Sequence, residues 1–172
     1  MKPERQGKQI SFIKPMSISL RDVDPDNFRE CIKLKVAAWQ EDFVASNVGS
    51  IAESKVYPHL VPQAVYTDET LVGFAMYGRD PESEKYWIVR LMIDEQFQGR
   101  GYGRSMTLAL IEKISKLPGA DQIFLSFVPS NINAETLYRS VGFERTGETY
   151  GDEIIMRLAL KEGDNRHAGA DN

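Results

Sequence analysis

The stretch Ile93-Asp94-Glu95-Gln96-Phe97-Gln98-Gly99-Arg100-Gly101-Tyr102-Gly103-Arg104-Ser105 gathers the residue types that could hold a charged ligand. An apolar run ends, glycines fall at alternate positions, and a helical period begins. Glycine lets the backbone turn tightly and lets a ligand approach with no Cβ in the way. Successive N–H groups feeding a helix N-terminus make an anion site, and the helix dipole strengthens it. Arg100 and Arg104 add positive charge, so a phosphate or pyrophosphate is the natural guest. A dinucleotide fingerprint fails here, because Arg104 or Met106 stands where its third glycine would be. A P-loop fails too, since no Gly-Lys-Ser/Thr follows. The plain alternative is that these glycines only turn the chain and pack a helix.

Around this stretch the pattern of apolar residues sets the elements that must position it. Ser17-Ile18-Ser19-Leu20-Arg21 alternates as a strand. Asp24-Pro25 opens a helix whose one apolar face carries Phe28, Ile32, Val36, Trp39 and Phe43, which makes Trp39 and Phe43 core residues. Ser50-Ile51-Ala52-Glu53 has capping-box spacing and starts a second helix that stops before Pro58. Strands follow over 63–67 and 70–77, turning at Asp68-Glu69, then a polar loop over 78–83. A long strand over 85–93 leads into the glycine stretch, and a helix runs over 102–116 to Pro118-Gly119. A nearly continuous apolar strand over 122–128 reads as buried. A helix over 131–141 closes at Gly142, and strands over 143–146 and 153–160 turn at Tyr150-Gly151-Asp152. The order β-α-α-β-β-β-α-β-α-β-β predicts an α/β domain with a mixed sheet. Hairpin partners are expected antiparallel and helix-linked strands parallel.

The chain has 172 residues, enough for one domain. Its net charge of −4 disfavours a nucleic-acid partner and favours cations. One cysteine, Cys31, excludes a disulfide framework or Cys-cluster metal site; it reads as a buried helix residue rather than a nucleophile. With only His59 and His167, no metal site is expected, and His59 reads as a surface residue. No apolar window is long enough for a membrane span and no signal peptide opens the chain, so a cytoplasmic location is expected. Residues 1–15 read as a flexible extension, 16–160 as the domain, and 161–172 as a disordered tail.

Gln98-x-x-Gly101-x-Gly103 resembles the Q/R-x-x-G-x-G/A signature of the GNAT superfamily of acyl-CoA-dependent N-acetyltransferases. Asn131-x-x-Ala134-x-x-Leu137-Tyr138-x-x-x-Gly142-Phe143 is similar to the family's second motif. The stretches 71–78, 93–95, 39–44 and 50–53 look like the polyamine (spermine/spermidine) acetyltransferase branch. The resemblance covers about Ser17 to Leu160. It implies a single-domain GNAT-like α/β fold, with splayed strands in a mixed sheet and about four helices. Acetyl-CoA is the implied cofactor. Its pyrophosphate would sit on the amides of Gln98, Gly99, Arg100, Gly101, Tyr102, Gly103, Arg104 and Ser105. Its pantetheine arm would pair with Leu91, Met92 and Ile93, and Asn131 would hydrogen-bond the arm.

The resemblance also places Tyr138 near the thioester sulfur, where a phenol of pKa ~10 can help a thiolate of pKa ~8.5 depart. The competing reading of Tyr138 is an aromatic packed on the sheet. An acceptor amine must lose a proton before attack, and carboxylates would also hold a polycation. Candidates are Glu41, Asp42, Glu53, Glu82 and Glu84, of which Glu53 is equally explained as a cap and the rest as solvated surface. Of Trp87 and Arg90, one is expected to face the groove. The implied activity is acetyl transfer to a primary amine of a polyamine. The alternatives are another small amine, an aminoglycoside or a protein N-terminus, and, from another class, a CoA-binding sensor without turnover. A homodimer through an exposed sheet edge is a further expectation.

Overall fold

The computed structural model describes residues 17–160, so the expected extension and tail lie outside the described residues. Seven strands form one sheet: β1 (Ile18–Asp22), β2 (Leu60–Thr67), β3 (Thr70–Arg79), β4 (Tyr86–Ile93), β5 (Gln122–Phe127), β6 (Glu144–Tyr150) and β7 (Glu153–Ala159). Their order is β1-β2-β3-β4-β5-β7-β6. Four α-helices, α1 (Phe28–Cys31), α2 (Asn47–Val56), α3 (Tyr102–Ser115) and α4 (Ile132–Ser140), cover the sheet, with 3₁₀ segments at Ala38–Phe43 and Glu95–Phe97. No described helix is long and apolar enough to cross a membrane.

Two apolar clusters flank the sheet. The larger holds Met106, Leu110 and Ile114 of α3 against Ile88, Ile123, Leu125 and Phe127, with Ala134, Tyr138 and Val141 packed on it. The smaller holds Phe74, Met76 and Met92 beneath Val36, Val44 and Ile51. Alternation along each strand supplies both faces. β5 departs from the expected buried run: Ile123, Leu125 and Phe127 are buried, whereas Gln122, Phe124 and Ser126 are half-buried. The cause is a break in the sheet. β4 and β5 pair in parallel only at Tyr86↔Ile123 and Trp87↔Phe124, so the rest of β4 has no partner on that side.

The structure corrects several sequence expectations. The apolar period from Phe28 to Phe43 is not one helix. α1 ends at Cys31 because the backbone of Lys35 is taken by the end of β4: its N–H donates to Asp94 Oδ2 (3.0 Å), and its carbonyl accepts from Glu95 N (2.8 Å). Trp39 therefore sits in the 3₁₀ segment and is 59% exposed rather than core, touching Phe43 edge-on at 6.0 Å. The second helix starts earlier than predicted. Ser46 is its cap, accepting from Gly49 N (3.1 Å), while Ser50 is buried inside the helix and Glu53 caps nothing. Helix-linked strands are not uniformly parallel either. β1 and β2 pair antiparallel, and β6 lies beyond β7 rather than beside β5.

Candidate active site

The break between β4 and β5 opens into a cleft of about 1430 Å³. That exceeds the ~300–1,000 Å³ usual for one small ligand, so there is room for a large cofactor and a second molecule. Trp87 and Phe124, the last pair before the break, stack at 5.3 Å and 29° and close its lower end. Above them Leu91, Met92 and Ile93 line the cleft, with backbone groups on the β5 side that the sheet does not use.

At the top of β4 the glycine turn takes the shape the sequence predicts. Gly99 (φ 74°) and Gly101 (φ 84°) are left-handed, a conformation that costs a residue with a Cβ about 1–2 kcal/mol. A Cβ at Gly99 would touch nothing within 4 Å, so its surroundings are open. Gly101 is the N-cap of α3 and no side chain caps the helix. The first helical bond runs from Ser105 N to Gly101 O (3.2 Å), which leaves the amides of Tyr102, Gly103 and Arg104 ahead of the ladder. Gly103 has a different reason: a Cβ there would come within 3.0 Å of Leu137 Cδ1, so its absence lets α3 and α4 close up. Gln98 ties the turn down, donating from Nε2 to Ile93 O (2.9 Å) and to Gln40 Oε1 (2.8 Å). An uncapped, positively poled amide cradle with open space before it suits a diphosphate.

The other predicted residues separate into two sets. Gln98, Gly99, Gly101, Tyr102, Gly103, Arg104, Asn131 and Tyr138 all line the cleft. Arg100 and Ser105 do not; Arg100 instead lies 5.7 Å over the Phe97 ring. Asn131 caps α4, its Oδ1 accepting from Ala134 N (3.2 Å), so a bond to a ligand has to come from its Nδ2. Tyr138 is half-buried between the rings of Phe127 and Phe143, each 6.1 Å away. Burial, with the nearby Glu153 charge adding to it, pushes its phenol up to about 12.

Glu41, Asp42 and Glu53 line the cleft, whereas Glu84 does not: it sits on the outer surface, bonded to Arg79 at 3.2 Å. Both Trp87 and Arg90 reach the cleft, where one was expected. Arg90 pairs with Glu53 at 3.0 Å and donates to Val89 O (2.8 Å). His59, expected at the surface, is half-buried and also lines it. Cys31 is buried as expected, and burial raises its thiol to about 11, which keeps it unreactive. Among the cleft residues that escaped the sequence reading are Ser126 and Glu153, joined by a hydrogen bond from Ser126 Oγ to Glu153 Oε2. The only signal for them was the polar Ser126 inside an apolar strand.

A sheet parted beside an amide cradle, with a phenol at the parting, is the architecture of a coenzyme-A-dependent acyltransferase. The chain belongs to the acetyltransferase (GNAT) family, which matches residues 24–143. Its cofactor is acetyl-CoA, which supplies the thioester whose acetyl group is transferred. The spermine/spermidine N(1)-acetyltransferase of Bacillus subtilis (strain 168) is 35% identical over 150 residues, covering 83% of this chain and 99% of that protein. Spermidine N-acetyltransferase from Vibrio cholerae, solved with CoA and spermine, has the same fold (TM-score 0.66, 17% identity, 83% of this chain and 95% of that one). So does an aminoglycoside acetyltransferase solved with ribostamycin and coenzyme A (TM-score 0.72, 17% identity, 90% of this chain and 99% of that one).

Proposed function

We propose that the protein transfers acetyl from acetyl-CoA to a primary amine of a polyamine, spermine or spermidine, by direct attack on the thioester. The observation that carries this reading is the carboxylate lining of the cleft, Glu41, Asp42 and Glu53, beside the amide cradle. Anionic groups along a groove hold a flexible polycation by charge complementarity. The likeness to a Bacillus enzyme named for spermine and spermidine, over 99% of its length, supports the same substrate class.

In this reading the amides around Gly99 to Arg104 hold the diphosphate. The free edge of Leu91 to Ile93 pairs with the pantetheine arm, and Nδ2 of Asn131 donates to it. The amine lone pair attacks the thioester carbonyl carbon; the C–N bond forms, the C–S bond breaks, and the electron pair leaves on sulfur. The Tyr138 hydroxyl donates to that sulfur, and the amine's surplus proton passes to water or a cleft carboxylate. The acceptor is a small molecule, with no nucleic-acid or membrane partner, and the enzyme works in the cytoplasm. Pairing through an outer strand, β1 or β6, would give a homodimer.

The second reading keeps the chemistry and changes the acceptor to an aminoglycoside, favoured by the fold likeness at a TM-score of 0.72. Thiol release from acetyl-CoA, followed with spermine, spermidine, putrescine, lysine peptides and aminoglycosides in turn, separates them. Release with spermine or spermidine alone is the expected result. Release with aminoglycosides alone selects the second reading. Tight acetyl-CoA binding without release for any amine would make the protein a sensor.

A further inference from the structure

The acceptor side of the cleft contains a carboxylate that neither the sequence motifs nor the charge pattern marks. Glu153 opens β7, immediately after the turn at Gly151, and is half-buried where it lines the cleft. The neighbouring carboxylates differ from it. Glu53 is paired with Arg90, and Asp80, also half-buried in the cleft and without an ion pair, accepts from both the N–H and the hydroxyl of Ser83 in its own loop; Glu84 and Glu135, off the cleft, are paired with arginines. Glu41 and Asp42 are exposed to water. Among the described residues Glu153 forms no ion pair; its recorded partner is the hydroxyl of Ser126. A half-buried carboxylate without a counter-ion in a ligand-sized cleft is a place for a cation to bind.

Its position relative to Tyr138 follows from strand alternation. Phe127 and Ile154 belong to the cluster that Tyr138 packs on, and they face each other in the β5–β7 register. Ser126 and Glu153, one residue before each, turn to the opposite face of the sheet. Tyr138 and Glu153 therefore approach the break from opposite faces, and both line the same cleft. An amine between them would have its nitrogen beside a negative charge and the departing sulfur beside a hydroxyl.

We infer that Glu153, held in place by Ser126, binds the ammonium group of the acceptor and, once that group has given a proton to water, holds its nitrogen with the freed lone pair aimed at the thioester across the break from Tyr138. The inference rests on the proposed amine acetylation and assigns its acceptor-binding carboxylate. Glu53 takes a lesser part, because Arg90 already compensates its charge.

Calorimetric titration of spermidine into the protein saturated with CoA tests this without turnover. Glu153→Gln, which keeps the shape and can still accept from Ser126, is expected to weaken spermidine at least about tenfold. Glu153→Asp restores part of the loss, and Ser126→Ala weakens binding about threefold by freeing the carboxylate to rotate. The CoA dissociation constant and Tm stay near wild type in all three. Spermidine binding unchanged in Glu153→Gln overturns the inference. KM separates its failure from that of the polyamine reading. A wild-type enzyme that acetylates spermidine, matched in KM by Glu153→Gln, removes Glu153 and leaves the polyamine reading standing. An enzyme that acetylates only aminoglycosides removes the polyamine reading, and the same KM comparison with kanamycin then decides Glu153.

Discussion

Tyr138 illustrates how one side chain can serve packing and chemistry together. Its ring fills space between Phe127 and Phe143, which is the packing role that sequence alone would assign to most helical tyrosines. Tyr138 also lines the cleft. Burial first, then the Glu153 charge, lifts the phenol from 10.0 to about 12, so it holds its proton at every pH where the enzyme would work. Full transfer to a thiolate of pKa ~8.5 is then uphill on its own. In the proposed reaction the phenol acts instead by a hydrogen bond to the departing sulfur, with transfer coupled to loss of the amine's proton. In the unfolded chain the phenol titrates near its ordinary value, so this group lowers stability as pH rises from there through about 12 and is neutral below. Tyr138→Phe is expected to lower kcat at least about tenfold while the acetyl-CoA dissociation constant changes less than about twofold. Wild-type kcat should show no alkaline fall up to pH 10.0, the phenol's ordinary value. Steady-state rates and fluorescence titration check both; normal turnover in the variant removes Tyr138 from the chemistry.

At the level of elements, what was legible in the sequence is what is fixed locally. α3 and α4 appear within a residue or two of their predicted ends, because Gly101, Asn131 and Gly142 impose their caps through their own backbone or side chain. The region between β1 and β2 was misread because its structure is decided at a distance. Lys35 is bound by Asp94, which lies 59 residues further along, and no helical period can reveal that. Glu153 was missed for a related reason: after a glycine turn a glutamate looks like the solvated end of a hairpin until β5 brings Ser126 beside it. The placement of α4 shows the same long-range control. Glu135 on α4 accepts from Nε and Nη2 along one guanidinium edge of Arg145 of β6 (2.8 and 2.7 Å) and from Arg139 on its own helix (2.9 Å). Hydrogen bonds from Arg145, then Arg139, hold the Glu135 carboxyl down to about 2. A depressed folded pKa contributes stability above the unfolded value of 4.5, and that contribution drains away as pH falls from there towards 2. Glu135→Gln should therefore lower Tm slightly at pH 7, and the gap to wild type should narrow progressively as pH falls below 4.5. Thermal melts at low salt across that range check it; a gap independent of pH would mean the clasp acts through shape alone.

For the molecule as a whole, the parted sheet is the feature from which its function follows. A seven-stranded sheet joined in its middle by only two residue pairs leaves the upper half of β4 without a strand partner on one side. Folding tolerates this because β1–β4 and β5–β7 each close their own ladders, and the larger apolar cluster, which takes residues from both halves, ties them together from the α3 face. The unused backbone groups are then available to a ligand that lies along the strand, while the uncapped start of α3 waits at the strand's end. In the proposed reaction the parting also divides the two sides: the cofactor approaches beside α3 and α4, and the acceptor from the face bearing Glu53, Trp87 and Ser126. Hydrogen exchange can follow this directly. Acetyl-CoA should slow exchange at amides of residues 88–93 that do not bond β3, and at Tyr102, Gly103 and Arg104, by up to about a hundredfold, the ~2.7 kcal/mol available at 100-fold excess over Kd. The β1–β2 ladder, already closed and distant from the break, should change little. Uniform slowing across both halves would instead mean that the cofactor stabilises the fold globally without occupying the strand edge, and the paired-arm geometry would have to be abandoned.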